Sequence, residues 1–261
     1  MTDLVTLTRE NHTAVITFNR PEHMNALNKE MIIKLGEITQ LIKKDSFIRI
    51  VVLRGLGEAF MAGTDLQEVS KQLNTGTAEM MYLIRQFNAA MLMLREMDKI
   101  VLACVHGLVA GQGMSLMLSA DLILASETTR FTLGYSNIAT SPVGGITTQL
   151  SRLVGNKKAI ELLIMSEMFD AQTALSLGLV NWVVLHDELS EKMRRIVEHV
   201  IHGPTLAYAQ TKLLINSAWQ NKLSSQLELE ADSFVKTINS KDFKTAVNAF
   251  INKRQPEFEG R

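Results

Sequence analysis

Between Val105 and Asp121 the chain carries glycines at Gly107, Gly111 and Gly113, set between an apolar run, Ile100–Val105, and an apolar helical stretch, Met114–Ala120. A strand that turns through glycines into a helix start gathers free backbone N–H groups at one point, with the positive end of the helix dipole behind them. Such a point favours negative charge: a phosphate, or the oxyanion that forms when a thioester carbonyl is attacked or enolised. Glycines also allow two backbones to approach closely. The same residues therefore fit a tight strand–helix packing joint, and the stretch alone leaves both readings open. Other chemistry is poorly represented. The six histidines show no H-x-x-x-H or H-E-x-x-H spacing, so no metal site is expected. A Ser115–His106–Asp triad would need a nucleophile elbow, and no G-x-S-x-G is present.

The bulk composition narrows the class. At 261 residues, 46% of them hydrophobic and four of them proline, the chain can bury a sizeable core and is not disordered. Lys+Arg and Asp+Glu are both 27, so no net charge draws it to nucleic acid or to an anionic membrane. No apolar run is long enough to span a bilayer, and the first residues lack a signal-peptide pattern. The single cysteine, Cys104, excludes an intrachain disulfide. These features suit a cytoplasmic protein.

The elements that must hold the glycine turn follow from periodicity. Leu4–Arg9 and Ala14–Phe18 read as a hairpin. A polar loop runs from Phe18 to Asn28, which caps a helix with Met31, Ile32, Leu35, Ile38 and Leu41 on one face. Strand Ile50–Leu53 leads through Gly55 and Gly57 to a second small-residue turn, Ala59–Glu68, and a helix over about 78–97. After the central turn come strands Asp121–Ser126 and Thr128–Thr132. An irregular loop, Leu133–Gly145, opens a helix to Leu153, and another helix runs from Gly155 to about Met165. A short helix closed by Gly178 precedes strand Leu179–Val184. The rest reads as helices: Leu189–Ile201, Thr205–Asn221, Ser224–Ile238 and Lys241–Lys253. Recurring strand–turn–strand–helix units imply an α/β protein with mainly parallel strands. Five methionines, Met80, Met81, Met91, Met93 and Met97, form a stripe suited to the core or to an adaptable pocket.

Taken together and in order, several stretches resemble the crotonase (enoyl-CoA hydratase/isomerase) family. Phe18–Leu27 looks like its first coenzyme-A-binding loop, and Phe60–Leu66 like its second. His106–Leu116 with Ser119-Ala-Asp121 looks like its central turn and helix. Ala171–Asn181 and Ala249–Phe258 resemble its late helix–Gly–Leu–Val element and terminal helix. The resemblance implies a crotonase-like spiral of ββα units over residues 1–200, with a helical trimerisation region over 201–261. It implies an acyl-CoA or acyl-carrier thioester as partner, coenzyme A entering only as part of the substrate with no separate cofactor, and a homotrimer or dimer of trimers. It carries an oxyanion hole onto the backbone amides of Thr64 and Gln112. Substrate contacts carry over onto Asn25, Ala26, Leu27, Ala62, Asp65 and Leu66, and onto Phe250 and Lys253, which the family often supplies from a neighbouring subunit. The side chain of Gln112 has an equally good reading as a surface amide at the mouth of the loop. Asp65 reads as a residue that holds its loop through backbone bonds.

The pattern breaks at the acids. The two glutamates of the family's hydratases fall on Ser115 and Tyr135, and the aspartate of a related isomerase group falls on Val143. None of these is a good proton carrier near neutral pH. Hydration needs a base and an acid, so ordinary hydration is disfavoured. Two reactions keep their requirements: a double-bond shift, which needs one proton shuttle, and loss of a carboxylate, which an acid-free pocket would not repel. Tyr135, Ser115, Ser141 or a group between Asp65 and Tyr82, such as Glu68, would have to move the proton. The plainer readings are that Tyr135 packs against the acyl pocket and that Ser115 bonds to backbone. A non-catalytic acyl-CoA-binding or scaffold protein is the alternative function.

Overall fold

The computed structural model describes residues 3–72 and 77–260. The hairpin strands β1 (Val5–Glu10) and β2 (Thr13–Phe18) pair antiparallel, and β2 then runs parallel to β3 (Ile50–Gly55). Strands β4 (Ile100–Val105), β6 (Leu122–Ser126) and β9 (Trp182–Val184) continue the sheet in parallel, in the order β1-β2-β3-β4-β6-β9. Three short strands, β5 (Leu108–Ala110), β7 (Arg130–Thr132) and β8 (Phe169–Asp170), make a second, smaller sheet. Two successive turns, β4–β5 and β6–β7, each place one long strand in the first sheet and one short strand in the second before entering a helix. This is the expected ββα repeat, and β5 hides inside the stretch that reads as a bare glycine turn.

The apolar runs of the long strands follow from burial on both faces. Val51 and Leu53 of β3, with Val101, Ala103 and Val105 of β4, face one core. Against them pack α1 (Lys29–Lys44), α3 (Thr77–Glu96), α4 (Gln112–Ser119) and α5 (Ile146–Met165). The alternate residues, Ile50, Val52, Leu102 and Cys104, face a second cluster with Leu189, Ile196 and Val200 of α7 (Leu189–Ile201). Helix α1 starts where expected, because Asn28 Oδ1 accepts the Met31 N–H at 2.9 Å. Helix α5 is interrupted at Gly155, whose φ of 76° and ψ of 161° no helix contains, so two helices abut there as the sequence indicates.

Three short elements differ from expectation. Residues Leu66–Gln72 form a helix, α2, where only a turn is legible, and α4 begins at Gln112 rather than Met114. The last strand is confined to Trp182–Val184, because Leu179 N bonds to Ala174 O and ends α6 (Ala171–Ser176) instead. The methionine stripe is also split: Met91 and Met97 are buried, whereas Met81 is exposed.

Helix α8 (Thr205–Ala218) is fixed to the core by a buried ion pair. Lys212 Nζ lies 2.8 Å from Asp121 Oδ2 and also donates to the carbonyls of Leu94 and Lys99 at 2.8 and 2.9 Å. Helices α9 (Leu223–Ile238) and α10 (Lys241–Ile251) stand further out and expose Leu227, Phe234, Phe243 and Phe250.

Candidate active site

The two small-residue turns meet. Met61 bridges Val109 and Leu27 bridges Thr64, so the segment after β3 is laid against both β5 and the loop before α1. Ala110 N donates to Met61 O at 2.9 Å, and Met61 N donates to Leu108 O at 3.2 Å. The glycines make this contact possible. A Cβ on Gly107 would collide with the Glu58 carbonyl, and one on Gly113 with the Met61 carbonyl. Gly63, at φ 100°, sits so that a Cβ would lie 3.6 Å from Gln112 N. The packing-joint reading is therefore met by this geometry. The joint brings Thr64 beside the first amide of α4.

Gln112 is that first helical residue, so its N–H lacks an intrahelical acceptor. Neither it nor the Thr64 N–H donates in the backbone hydrogen bonds of turns and loops among the described residues. Their side chains are joined: Thr64 Oγ1 donates to Gln112 Oε1 at 2.7 Å. The Gln112 side chain is buried at 4% exposure, so it is not a surface amide. Instead, the bond to Thr64 locks one amide-bearing residue to the other.

Both residues open onto a cavity of about 580 Å³ whose wall also includes Leu27, Asp65, Leu66 and Tyr135. The proton-carrier candidates Glu68 and Ser141 line it as well, as do Val143 and Met80. Asn25 and Ala26 do not line it. Asn25 is fully buried; its Nδ2 donates to Leu56 O and Ala59 O at 2.9 and 2.8 Å, and its Oδ1 accepts from Arg20 N at 2.8 Å. It ties the first loop to the second. Ala62 N bonds to Met24 O at 2.9 Å and makes the same tie through backbone. Phe250 and Lys253 are exposed at the end of α10 and do not line the cavity of their own chain.

The side-chain half of the site is closed on itself. Ser115 Oγ donates to Val143 O at 2.8 Å and lies 2.9 Å from the Tyr135 hydroxyl. Either hydroxyl can be the donor between the two, and the phenol also reaches Val143 O at 3.4 Å. Gly144 permits this contact, since a Cβ there would lie 2.8 Å from Ser115 Cβ. Burial pushes the Tyr135 phenol above its ordinary value, against the opposing hydrogen bonds of Ser115 and Val143. Tyr135 is accordingly a neutral phenol within this network. His106, the other triad candidate, is bonded to Gly57 O at 2.8 Å rather than to Ser115.

The cavity is not acid-free, which corrects the sequence reading: Asp65 and Glu68 both line it. Asp65 is engaged elsewhere. It lies 2.7 Å from Arg20 Nη1 and accepts the N–H groups of Gln67 and Glu68 at 2.9 and 3.1 Å. Burial would raise its carboxyl, but these hydrogen bonds outweigh burial and hold it below the ordinary value. Glu68 is half-buried and accepts only weakly, from the Lys29 N–H at 3.3 and 3.4 Å. Lys29 Nζ pairs with Glu79 at 2.6 Å. The Asp65–Arg20 pair and the Lys29–Glu79 pair were not legible, since sequence spacing gives no hint of either. Of the segment from Asp65 to Tyr82, in which a proton carrier was sought, residues 73–76 lie outside the described residues.

The chain belongs to the enoyl-CoA hydratase/isomerase family, whose profile matches residues 8–261. It is 32% identical over 254 residues to 1,2-epoxyphenylacetyl-CoA isomerase of Escherichia coli (strain K12), covering 97% of each chain. It is 33% identical over 254 residues to a short-chain-enoyl-CoA hydratase of Clostridium acetobutylicum, covering 97% of this chain and 96% of that one. The crystal structure of an enoyl-CoA hydratase from Polaromonas sp. JS666 superposes with a TM-score of 0.93 at 32% identity, over 98% of this chain and 99% of the other. The architecture is therefore the crotonase fold, with a helical C-terminal region. Among the described residues no helix is long and apolar enough to cross a membrane.

Proposed function

We propose that the cavity receives the acyl group of a coenzyme A or acyl-carrier thioester, and that the Thr64 and Gln112 amides stabilise its enolate oxygen during a double-bond shift. The observation that carries this reading is the division of the site. The backbone half is open to the cavity, whereas the hydroxyls of Ser115 and Tyr135 have their protons engaged. In the shift, a base takes a proton from C2 of a 3-enoyl thioester and charge moves onto the carbonyl oxygen. The same group then returns the proton at C4, leaving the double bond between C2 and C3. Glu68 is the shuttle in this reading: it faces the cavity, and among the described residues its carboxylate forms no direct ion pair, since the nearby Lys29 ammonium bonds to Glu79 and acts on Glu68 only through space. Preorganised amide donors facing a developing oxyanion are typically worth about 10²–10³-fold each.

The loops Asn25–Leu27 and Ala62–Leu66 frame the thioester in this reading. Helices α9 and α10 supply the trimer contacts, supported by their exposed Phe234, Phe243 and Phe250, and bring Phe250 and Lys253 to a neighbouring coenzyme A. Decarboxylation runs through the same enolate, but Asp65 and Glu68 in the wall disfavour a second carboxylate on the substrate. The closed Ser115–Tyr135 network favours one other reading, a thioester-binding protein without turnover.

The test mixes purified protein with 3-enoyl-CoA, crotonyl-CoA and methylmalonyl-CoA and follows products. Conversion of the 3-enoyl thioester supports the proposal. Crotonyl-CoA hydration at the rate of ordinary hydratases overturns it, and binding without conversion selects the second reading.

A further inference from the structure

A larger cavity, of about 720 Å³, lies between the C-terminal half of α3, the start of α5 and α8. It shares no lining residue with the cavity of Thr64 and Gln112: Val143 lines that one, and its neighbours Gly144 and Gly145 line this one. Three cations face it, Arg95, Arg152 and Lys212. Lys212 is satisfied, because its ammonium lies 2.8 Å from Asp121 and also donates to two carbonyls. Arg95 is not. It comes no closer than 4.0 Å to Asp121, and its guanidinium donates to Asn216 Oδ1 instead. Arg152 forms no ion pair among the described residues, and its guanidinium lies over the Trp219 ring, 5.7 Å from the centroid. The two arginines are near enough to repel each other. Burial and the Arg152 charge hold the Arg95 guanidinium below its ordinary value, against the pull of Asp121. Two half-buried guanidiniums on different helices thus share one space, and a single carboxylate, already claimed by Lys212, stands within ion-pair reach of either.

The rest of the wall says what kind of anion fits. Met91, Leu92, Met97, Ala209 and Leu213 are hydrocarbon, so the body of the ligand is apolar. Glu96 and Asp98 are exposed lining residues and oppose a second negative charge. No aromatic ring lines the cavity, so it offers no platform for a nucleobase. We propose that this cavity is a second binding site, for a monocarboxylate with a hydrocarbon body, whose carboxylate sits between the Arg95 and Arg152 guanidiniums. A guanidinium fork matches the two oxygens of a carboxylate, and the Trp219 ring restrains the Arg152 side chain that presents it. The volume falls in the range of small-molecule sites. The site goes beyond the thioester reading, since none of its lining residues takes part in the proposed reaction.

The experiment titrates octanoate into the full chain by calorimetry at fixed ionic strength, with 1-octanol, inorganic phosphate and suberate as comparison ligands. Octanoate should bind at least about tenfold more tightly than 1-octanol, which keeps the body and lacks the charge. Arg152→Gln should weaken octanoate by about tenfold or more. That side chain has no ion pair to lose, and a melting curve on the variant checks its fold. Leu213→Asn, at an exposed position of the apolar wall, should weaken octanoate by about threefold or more. Glu68→Gln, in the other cavity, should leave it within about twofold. Octanoate that does not bind, or that binds Arg152→Gln as tightly as wild type, overturns the proposal. Phosphate or suberate binding as tightly as octanoate overturns it too, because charge alone would then be read. A response to Glu68→Gln without one to Arg152→Gln would seat octanoate in the candidate active site and likewise overturn it. All these results leave the thioester reading to the 3-enoyl-CoA assay.

Discussion

The two halves of the candidate site are made of different material. The Thr64–Gln112 half is backbone, packed through Gly107 and Gly113, where any Cβ would collide with a carbonyl. The Ser115–Tyr135 half is side chain, and its groups turn inward onto each other and onto Val143 O. A backbone device is insensitive to which side chains decorate it, so it can outlast the exchange of every catalytic acid around it. A side-chain device changes chemistry with a single substitution. In the proposed reading, this difference lets the chain stabilise an enolate through backbone although Ser115 and Tyr135 stand where the resemblance places the hydratases' glutamates.

The sharpest way to break the comparison is to damage the backbone half. Gly113→Ala would drive a Cβ into the Met61 carbonyl and push the second turn away from α4. Turnover of the 3-enoyl thioester should fall by about 10²–10³-fold, with about 1–3 kcal/mol lost in a denaturant titration from the overpacking. Unchanged kinetics would place the amides outside the reaction. Next in size, Glu68→Gln should lower kcat by about 10²-fold or more while KM moves only a few-fold, as removal of a proton carrier requires. A matching change in KM would instead mark Glu68 as a binding residue.

Side-chain changes in the other half should matter least. Tyr135→Phe and Ser115→Ala each remove one member of the closed network, and kcat should stay within about fivefold of wild type, since neither group carries a proton in the proposed reaction. Thr64→Val keeps the amide and loses only the bond to Gln112, so it belongs in the same small class. The Asp65–Arg20 pair gives a pH test of the loop that carries Thr64. The Asp65 carboxyl is lowered in the folded protein, so its stabilisation is present above the unfolded carboxylate value of about 4 and is lost as pH falls through the lower folded value. The difference in melting temperature between wild type and Asp65→Asn should therefore be largest near neutral pH and shrink on acidification. A difference independent of pH would mean that the pair's charge does not hold the loop.

Much of the fold was legible because long elements announce themselves by period. The alternation in Ile50–Gly55 and Ile100–Val105 is masked by burial on both faces, yet the runs were still bounded by glycines and read as strands. The hidden pieces were short. Strand β5 is three residues inside a glycine-rich turn, and α2 follows Asp65 without an apolar period long enough to signal it. For the candidate site, the order of the motifs singled out Thr64, Gln112 and Tyr135, which line one cavity, and Ser115, which contacts Tyr135. Their bonds were not legible, because Ser115 and Tyr135 lie 20 residues apart and Thr64 and Gln112 lie 48 apart. The expectation of an acid-free pocket failed for the same reason: nothing in the spacing says that Glu68 turns inward while Asp65 is held by Arg20.

Cys104 lies on the far face of β4, and burial lifts its thiol to about 12. Thiolate is the reactive form, so maleimides and similar electrophiles will pass it by in the native state. The wild-type chain is thus already a blank background for labelling, and in Leu66→Cys, at an exposed position of the cavity wall, the new side chain would be the one reactive thiol. A dye attached there would give a direct optical readout of a ligand entering or leaving, with no native residue to remove first.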